Sequence, residues 1–306
     1  MDDGKTRDFL GLPLWKPLYG FGDRLELRAR MTTAVFARGI DRRALTGALP
    51  RHPLVKLHPL SPIVVIQADY PHCVDVADPD QNDYPYREVM VACVLQGSAG
   101  RFGAMWPLVL YLDNPIAVAA GREYHGFPKV PARVTLEPGR GAVEYTWSPR
   151  GEPRTSRVLE ARWRMPDPEG REGVVARALN AAGEAIAGAV RATGVDADTV
   201  DLVTGFALGG AGEVWNLHQV PDLVHPRRAA FAQLTRFQPR VLEPTVPQLQ
   251  GGFELSLPGA AEDPVWSLGR RFFEAGERAV VRKATLAFSW EATMHVSGGE
   301  VIDTWT

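Results

Sequence analysis

The sequence predicts a mainly β (α+β) fold built from antiparallel strands, and three observations support this. Short apolar segments with alternating character recur along most of the chain and are separated by Gly, Pro, Asp and Asn. Only two segments have helical periodicity. No glycine-rich phosphate loop follows a strand, because Gly209-Gly210-Ala211-Gly212 lacks the spacing and the following helix that such a loop needs.

The strand prediction covers eleven segments, of which the last is long enough to form two strands. In chain order they are Leu25–Phe36, Ile63–Ala68, Glu88–Leu95, Gly103–Leu112, Arg133–Leu136, Ala142–Tyr145, Val158–Arg164, Val214–Val220, Arg228–Gln238, Phe253–Leu257 and Ala279–Val296.

The first predicted helix is short and spans Ile116–Tyr124. Asn114 is a suitable N-cap, and Pro115 suits the first helical position. Gly126 and Pro128 end the helix, so a rigid Gly-Phe-Pro turn leads into the next strand.

The second predicted helix spans Glu172–Thr193, where apolar residues recur at three- and four-residue steps and Gly194 follows. This periodicity indicates an amphipathic helix that packs on a sheet. Its Ala and Gly content would also suit a helix contact in an oligomer.

Composition excludes several function classes. A net charge of -2 and a pI near 6.4 provide no cationic face for nucleic acid or for an acidic membrane surface. Cys73 and Cys93 are the only cysteines, and their spacing matches neither a zinc site nor a disulfide framework. The N-terminus is acidic, and no run approaches the roughly 20 apolar residues that span a bilayer. We expect a cytoplasmic, reduced protein without a metal.

Lys129 is the strongest candidate for a reactive residue. The chain has five lysines against 29 arginines, and this lysine follows the apolar turn Gly126-Phe127-Pro128. Desolvation at such a place disfavours an ammonium ion and favours the neutral amine, which can form an imine with a carbonyl compound.

The segment around Lys129 resembles the signature of the acetoacetate decarboxylase family. The matching residues are Tyr111-Leu112-Asp113-Asn114-Pro115, Ala119-Ala120-Gly121-Arg122-Glu123 and Gly126-Phe127-Pro128-Lys129. The likeness is weaker elsewhere but extends from Arg30 to Val296, so we expect one domain over residues 1–306. The helix at about 171–194 then looks like an insertion.

The resemblance implies a cone-like or barrel-like antiparallel fold around an apolar cavity, usually in a homo-oligomer. It assigns the Schiff-base lysine to Lys129 and a small-molecule keto acid as the substrate. The reaction implied needs no cofactor, because the protonated imine is itself the electron sink.

The chain departs from the family pattern at two positions. Val130 stands where decarboxylases carry a second lysine, and Gln67 stands where one of two pocket acids is expected. Glu88 matches the other acid, although it could instead pair with Arg87 or another surface cation. Arg30 is the best match for the arginine that binds the substrate carboxylate, and Arg28 on the same face of the strand is the alternative.

The turn adds further candidates. His125 precedes Lys129 by four residues and could move protons in the site, or it could face solvent or cap the short helix. We assign Tyr124, Phe127 and Arg122 to substrate contacts, with an ion pair of Arg122 and Glu123 at the helix end as the structural alternative.

Three functions fit these residues. The first is decarboxylation of a β-keto acid through an imine at Lys129. The second is aldol addition or dehydration of a 2-oxo acid such as pyruvate, in which His125 and Tyr124 transfer protons. The third is a binding protein that holds a carbonyl compound without catalysis.

Overall fold

The computed structural model describes twelve stretches of the chain, and structural statements below apply to them. They are residues 25–76, 83–97, 102–123, 125–148, 152–164, 213–221, 229–242, 245, 248–257, 272–273, 280–296 and 299–305. The predicted helix Glu172–Thr193 lies outside them.

Sixteen strands and two helices lie in the described stretches. In chain order they are β1 (Leu25–Phe36), α1 (Arg42–Ala48), β2 (Ile63–Asp75), β3 (Tyr86–Gln96), β4 (Phe102–Leu112), α2 (Pro115–Glu123), β5 (Lys129–Pro131), β6 (Arg133–Glu137), β7 (Arg140–Trp147), β8 (Arg154–Arg164), β9 (Val214–Pro221), β10 (Ala229–Phe237), β11 (Arg240–Leu242), β12 (Gln248–Leu249), β13 (Gly251–Leu257), β14 (Val280–Lys283), β15 (Leu286–Val296) and β16 (Glu300–Trp305).

The mainly β, antiparallel prediction is confirmed. Each predicted strand overlaps a described one, and the long last segment is β14 and β15 with Ala284 and Thr285 between them. Strand β2 continues seven residues beyond the predicted end at Ala68, through Pro71, which interrupts the alternating pattern. The prediction omitted β5, β11, β12, β16 and α1. Three of these strands have only two or three residues, too few to establish a period.

The strands form two sheets. The larger sheet has eleven strands in the order β11-β15-β1-β2-β3-β4-β9-β10-β16, with β12 beside β15 and β5 beside β4. The smaller sheet has the order β14-β13-β8-β7-β6. Most pairs are antiparallel, but β4 pairs in parallel with both β5 and β9. The strand that begins with Lys129 therefore lies directly beside β4.

The central strands of the larger sheet bury both of their faces. On one face, Val65, Val89 and Val91 pack in the largest apolar cluster with Val143 and Leu255 of the smaller sheet. We call this the inter-sheet face. Each fully buried side chain of this size contributes roughly 1.5–3 kcal/mol to stability, so the cluster holds the two sheets together.

The opposite face carries two smaller apolar clusters. One contains Met90, Leu110 and Leu112 with Val118 of α2, and we call this side of the sheet the α2 face. The other contains side chains of β1, β2 and β15, including Met31. Because successive strand residues point to opposite faces, the residue number decides which face a side chain reaches.

Candidate active site

The start of α2 is held by its own cap, as the sequence predicts. The Asn114 side chain accepts hydrogen bonds from the backbone N–H groups of Ile116 at 2.8 Å and Ala117 at 3.2 Å, and Pro115 is the first helical residue. These bonds satisfy donors that a helix start leaves unpaired.

Asp113 and Asn114 also fasten this helix start to the start of β3. The backbone N–H of Arg87 donates to the Asp113 carboxylate at 2.8 Å, and the Asn114 amide donates to the Pro85 carbonyl at 3.2 Å. Strand β3 begins at Tyr86 and carries Glu88. Two residues of the motif thus position the strand that faces Lys129.

The end of α2 turns sharply towards β5. The N–H of Phe127 donates to the Gly121 carbonyl at 2.9 Å, and that of Gly126 donates to the Arg122 carbonyl at 3.2 Å. Gly126 has φ +70°, where a side chain would be strained. The Pro128 carbonyl then accepts from Leu110 at 3.0 Å, so Lys129 enters the sheet beside β4.

Strand β9 supports the turn from the other side. The buried Asn216 side chain donates to the His125 carbonyl at 2.7 Å. A Cβ on Gly126 would lie 2.6 Å from the His218 Cα, so glycine is needed for this approach. Sequence reasoning missed Asn216. Its only signal is a polar residue within the strand pattern Val-Trp-Asn-Leu-His, and that pattern does not identify its distant partner.

Lys129 and Glu88 meet on the α2 face. Lys129 pairs with Leu110 and Glu88 with Leu112, and cross-strand partners share a face. The Lys129 Nζ lies 3.3 Å from the Glu88 Oε2, and the two side chains are only 10% and 11% exposed. The Glu88 Oε2 has no aligned hydrogen-bond donor among the described residues, so the contact is an ion pair. The structure thus brings Lys129 and Glu88 together, and their catalytic roles stay a prediction.

Gly121 makes room for the lysine. A Cβ at this position would overlap the Cδ and Cε of Lys129 and would lie 2.9 Å from its Nζ. The glycine of the motif therefore lets the lysine side chain lie against α2 and reach Glu88.

Two tyrosines lie beside the ion pair. Tyr70 and Tyr86 are directly paired between β2 and β3, with ring centroids 4.6 Å apart. The Lys129 Nζ lies 5.6 Å from the Tyr86 ring centroid. Burial raises the pKa of each tyrosine well above 10.0, and the charge of Glu88 raises it further. Both phenols are therefore neutral at physiological pH.

His125 is an uncharged imidazole near the site. Burial, followed by the positive charges of Lys129 and His218, lowers the pKa of His125 from 6.5 to about 4. Its ring packs against Phe127 at 5.8 Å and Phe237 at 4.9 Å between centroids. This placement disagrees with the alternative of a turn histidine that faces solvent.

Arg30 is not brought to Lys129, and its assignment as the carboxylate anchor is corrected. Its neighbour Met31 in β1 lies on the α2 face, so the Arg30 side chain points to the opposite face of the sheet. The Arg30 side chain is 63% exposed and lies 3.9 Å from Asp69 and 3.7 Å from Glu291. A one-residue shift in a strand is enough to cause such an error.

Gln67 is likewise corrected, because it lies on the inter-sheet face. Its partner Val89 belongs to the inter-sheet cluster, and its side-chain oxygen contacts the position that a Cβ on Gly141 would occupy. Gln67 is 2% exposed, and neither amide atom has a hydrogen-bond partner among the described residues. Val130 packs against the same cluster, so both departures from the family pattern lie on the inter-sheet face.

The remaining predicted contacts are placed as follows. Phe127 packs against the apolar cluster of the α2 face. Arg122 is exposed on the last turn of α2, adjacent in sequence to Gly121 but turned by about 100° around the helix axis. Tyr124 lies outside the described residues.

Within the described residues, no three His, Cys, Asp or Glu side chains are grouped closely enough to hold a metal ion. The helices of these stretches are too short or too polar to cross a membrane.

Sequence comparison identifies the family. A model of acetoacetate decarboxylase (ADC) matches residues 21–304. The chain belongs to the acetoacetate decarboxylase family. The prediction of an acetoacetate decarboxylase-like enzyme is confirmed. No curated protein sequence matches the chain.

Solved structures show the same fold at low identity. Acetoacetate decarboxylase from Legionella pneumophila subsp. pneumophila str. Philadelphia 1 is 16% identical with a TM-score of 0.60, over 98% of this chain and 99% of that chain. An acetoacetate decarboxylase-like enzyme from Sphingomonas wittichii RW1 is 11% identical with a TM-score of 0.60, over 98% and 100%. The enduracididine biosynthesis enzyme MppR, complexed with the condensation product of pyruvate and imidazole 4-carboxaldehyde, is 13% identical with a TM-score of 0.54, over 97% and 98%.

Gly121→Ala should displace the lysine from Glu88, because the new Cβ occupies the space of the Lys129 side chain. We expect a loss of about 1–3 kcal/mol in unfolding free energy from overpacking. We also expect faster modification of Lys129 by trinitrobenzenesulfonate, since an amine displaced from the buried ion pair is more accessible to the reagent. Gly47→Ala in α1 is the matched control, since its Cβ meets nothing within 4 Å. Unchanged stability and labelling in Gly121→Ala would contradict the packing described.

Gln67→Met should leave the site intact, because the side chain is on the other face of the sheet. We expect an unfolding free energy that is unchanged or higher by about 1 kcal/mol, since two unpaired amide atoms are removed. Denaturant titration and the trinitrobenzenesulfonate labelling rate of Lys129 measure the two effects. A change in the labelling rate without loss of stability would return Gln67 to the site.

Acid should destabilise the protein partly through His125. Its pKa is about 4 when folded and 6.5 when exposed, so the unfolded chain binds more protons between these values. The stability is complete above pH 6.5 and is lost as pH falls through 4. We expect His125→Phe, which keeps the ring contacts, to reduce the stability loss between pH 7.5 and pH 4.5 by roughly 2 kcal/mol in denaturant titrations. Equal losses in both proteins would show that His125 is protonated at its ordinary pKa.

Proposed function

We propose that the protein is a Schiff-base-forming carbon-carbon lyase that decarboxylates a β-keto acid through an imine at Lys129. The observation that supports this most strongly is the buried ion pair of Lys129 with Glu88. A lysine and a carboxylate held 3.3 Å apart, away from water, provide a nucleophile and a proton acceptor within one site.

The proposed reaction begins with proton transfer from the Lys129 ammonium to the Glu88 carboxylate, which lies 3.3 Å away. The neutral amine adds to the ketone carbon of the substrate, and the resulting carbinolamine loses water with a proton returned by Glu88. The product of these steps is a protonated imine.

The carbon-carbon bond to the carboxylate then breaks, carbon dioxide leaves, and the bonding electrons move to the imine nitrogen to form an enamine. A proton adds to the enamine carbon. Water then hydrolyses the new imine, which releases a ketone and restores the amine. The balance is one β-keto carboxylate anion and one proton converted to one ketone and one carbon dioxide, and no cofactor enters it.

His125 supports the proton transfers in this proposal. With a pKa of about 4 it is a neutral imidazole at physiological pH, and a neutral imidazole accepts protons. Its backbone is held by Asn216, and Phe127 and Phe237 pack against its ring. Phe127 also forms part of the apolar wall beside the lysine.

Two features favour decarboxylation. The replacements at Val130 and Gln67 lie on the inter-sheet face, so they leave the contacts of the Lys129 nitrogen unchanged. The α2 face near Lys129 is lined by Met90 and Leu110. As carbon dioxide leaves, the electrons of the breaking bond spread the negative charge from the carboxylate towards the imine. An apolar wall favours this delocalised charge over the localised charge of the carboxylate.

Aldol addition or dehydration of a 2-oxo acid is the second candidate. It is supported by the structural likeness to MppR, which has been observed with pyruvate and with a pyruvate condensation product. The same lysine would form the imine, and His125 would transfer protons. Tyr124, the other proton carrier in this hypothesis, lies outside the described residues.

A binding protein without catalysis is the third candidate. We propose a small-molecule keto acid ligand, a homo-oligomer and a cytoplasmic location for each.

Borohydride reduction tests the imine. We expect acetoacetate, or a larger β-keto acid, to leave a reduced adduct on the peptide containing Lys129, detected by mass spectrometry. Lys129→Met should abolish the adduct. Lys283→Met, at an 81% exposed lysine paired with Glu254, is the matched control and should leave it unchanged.

Carbon dioxide release separates the candidates. Decarboxylation predicts labelling together with carbon dioxide release from a β-keto acid, whereas the aldol candidate predicts labelling by pyruvate. Labelling without turnover of either kind would support a binding protein. If no keto acid labels Lys129, the proposed function is wrong.

Glu88→Gln removes the proton acceptor and keeps the side-chain shape. We expect a loss of about 10²–10⁴-fold in kcat, the usual contribution of general acid–base catalysis. The rate of carbon dioxide release measures this, and circular dichroism checks the fold. Turnover within a factor of two of the wild type would remove Glu88 from the mechanism.

A further inference from the structure

The Tyr70–Tyr86 pair lies beside the ion pair, and the proposed mechanism does not yet use it. Tyr86 and Glu88 are two residues apart on β3 and therefore point to the same face. The Lys129 Nζ is 3.3 Å from the Glu88 carboxylate and 5.6 Å from the Tyr86 ring centroid. The nitrogen thus has a carboxylate and an aromatic ring as near neighbours.

The distance to Tyr86 lies within the range in which a cation is attracted by an aromatic ring. Such contacts extend to about 6 Å from the centroid, and they strengthen when water is removed. The Lys129 side chain is only 10% exposed, so its nitrogen has lost most of its hydration.

The position of the Tyr86 ring is fixed from several directions. Its backbone lies between Pro85 and Arg87, which are bonded to Asn114 and Asp113 at the start of α2. Tyr70 packs on the ring with an interplanar angle of 35°. The contacts that hold α2 therefore also hold the ring near the lysine nitrogen.

The ring acts as an uncharged aromatic group. Burial and the charge of Glu88 raise the pKa of Tyr86 well above 10.0, so the phenol keeps its proton. Its attraction for a cation comes from the negative face of the ring, which phenylalanine shares.

We propose that the ring of Tyr86 is a catalytic contact that stabilises the protonated imine of Lys129. This inference rests on the proposed function. An imine accepts the electrons of the breaking bond well only when its nitrogen carries a proton, and a desolvated cation needs partners to replace water. Glu88 supplies one partner, and the Tyr86 ring supplies the second.

Phenylalanine and its mono-, di- and trifluoro derivatives at position 86 test the proposal. Fluorine withdraws electron density from the ring face while changing its size little, so each step weakens the attraction for a cation. The readout is the fraction of Lys129 trapped by borohydride at a fixed, subsaturating keto acid concentration, together with kcat. We expect Tyr86→Phe to match the wild type within about twofold, and trapping to fall progressively with fluorination, by roughly tenfold at three fluorines.

A flat response across the series would overturn the inference, and so would a large loss in Tyr86→Phe, because the hydroxyl would then be the active group. The same series at Tyr145, in the smaller sheet, is the control and should leave trapping unchanged. If the wild type itself is not trapped, the proposed function fails before the ring is tested. The two failures are thus distinguished by the wild-type measurement.

Discussion

The buried pair of Lys129 and Glu88 is the constraint on which the rest of the site depends. Two opposite charges that have lost water need each other, since removing one partner of such a pair typically costs about 3–5 kcal/mol. Two hydrogen bonds and one glycine hold the pair together. Asp113 and Asn114 hydrogen-bond the start of β3 to the start of α2, and Gly121 leaves space for the lysine side chain. Asp113, Asn114 and Gly121 of the motif therefore all help to position the Lys129 Nζ beside Glu88.

The alternation of side chains along strands places the Lys129–Glu88 ion pair and the two departures from the family pattern on opposite faces of the larger sheet. Lys129 and Glu88 face α2, whereas Val130 and Gln67 face the core between the sheets. The chain thus differs from the decarboxylase pattern on the inter-sheet face, on the opposite side of the sheet from the Lys129–Glu88 ion pair.

Much of the fold and the centre of the site could be predicted from the sequence. Long strands show a two-residue alternation of apolar side chains, and the residues from Asn114 to Lys129 interact over short sequence separations. Both features can therefore be recognised in the sequence alone. The positions of Arg30 and Gln67 could not be obtained in this way, because an error of one residue moves a strand side chain to the opposite face. The contact of Asn216 with the turn spans 91 residues and depends on the parallel pairing of β4 with β9, which no local pattern indicates.

The exchange of the ketone oxygen with water tests most directly whether the substrate carbon becomes bonded to Lys129. An imine forms only if the carbonyl oxygen leaves as water, and hydrolysis returns an oxygen from the solvent. In water enriched in oxygen-18, rapid quenching and mass spectrometry should find the label in the ketone product of every turnover, above uncatalysed exchange. A product that keeps its original oxygen during turnover would contradict the account.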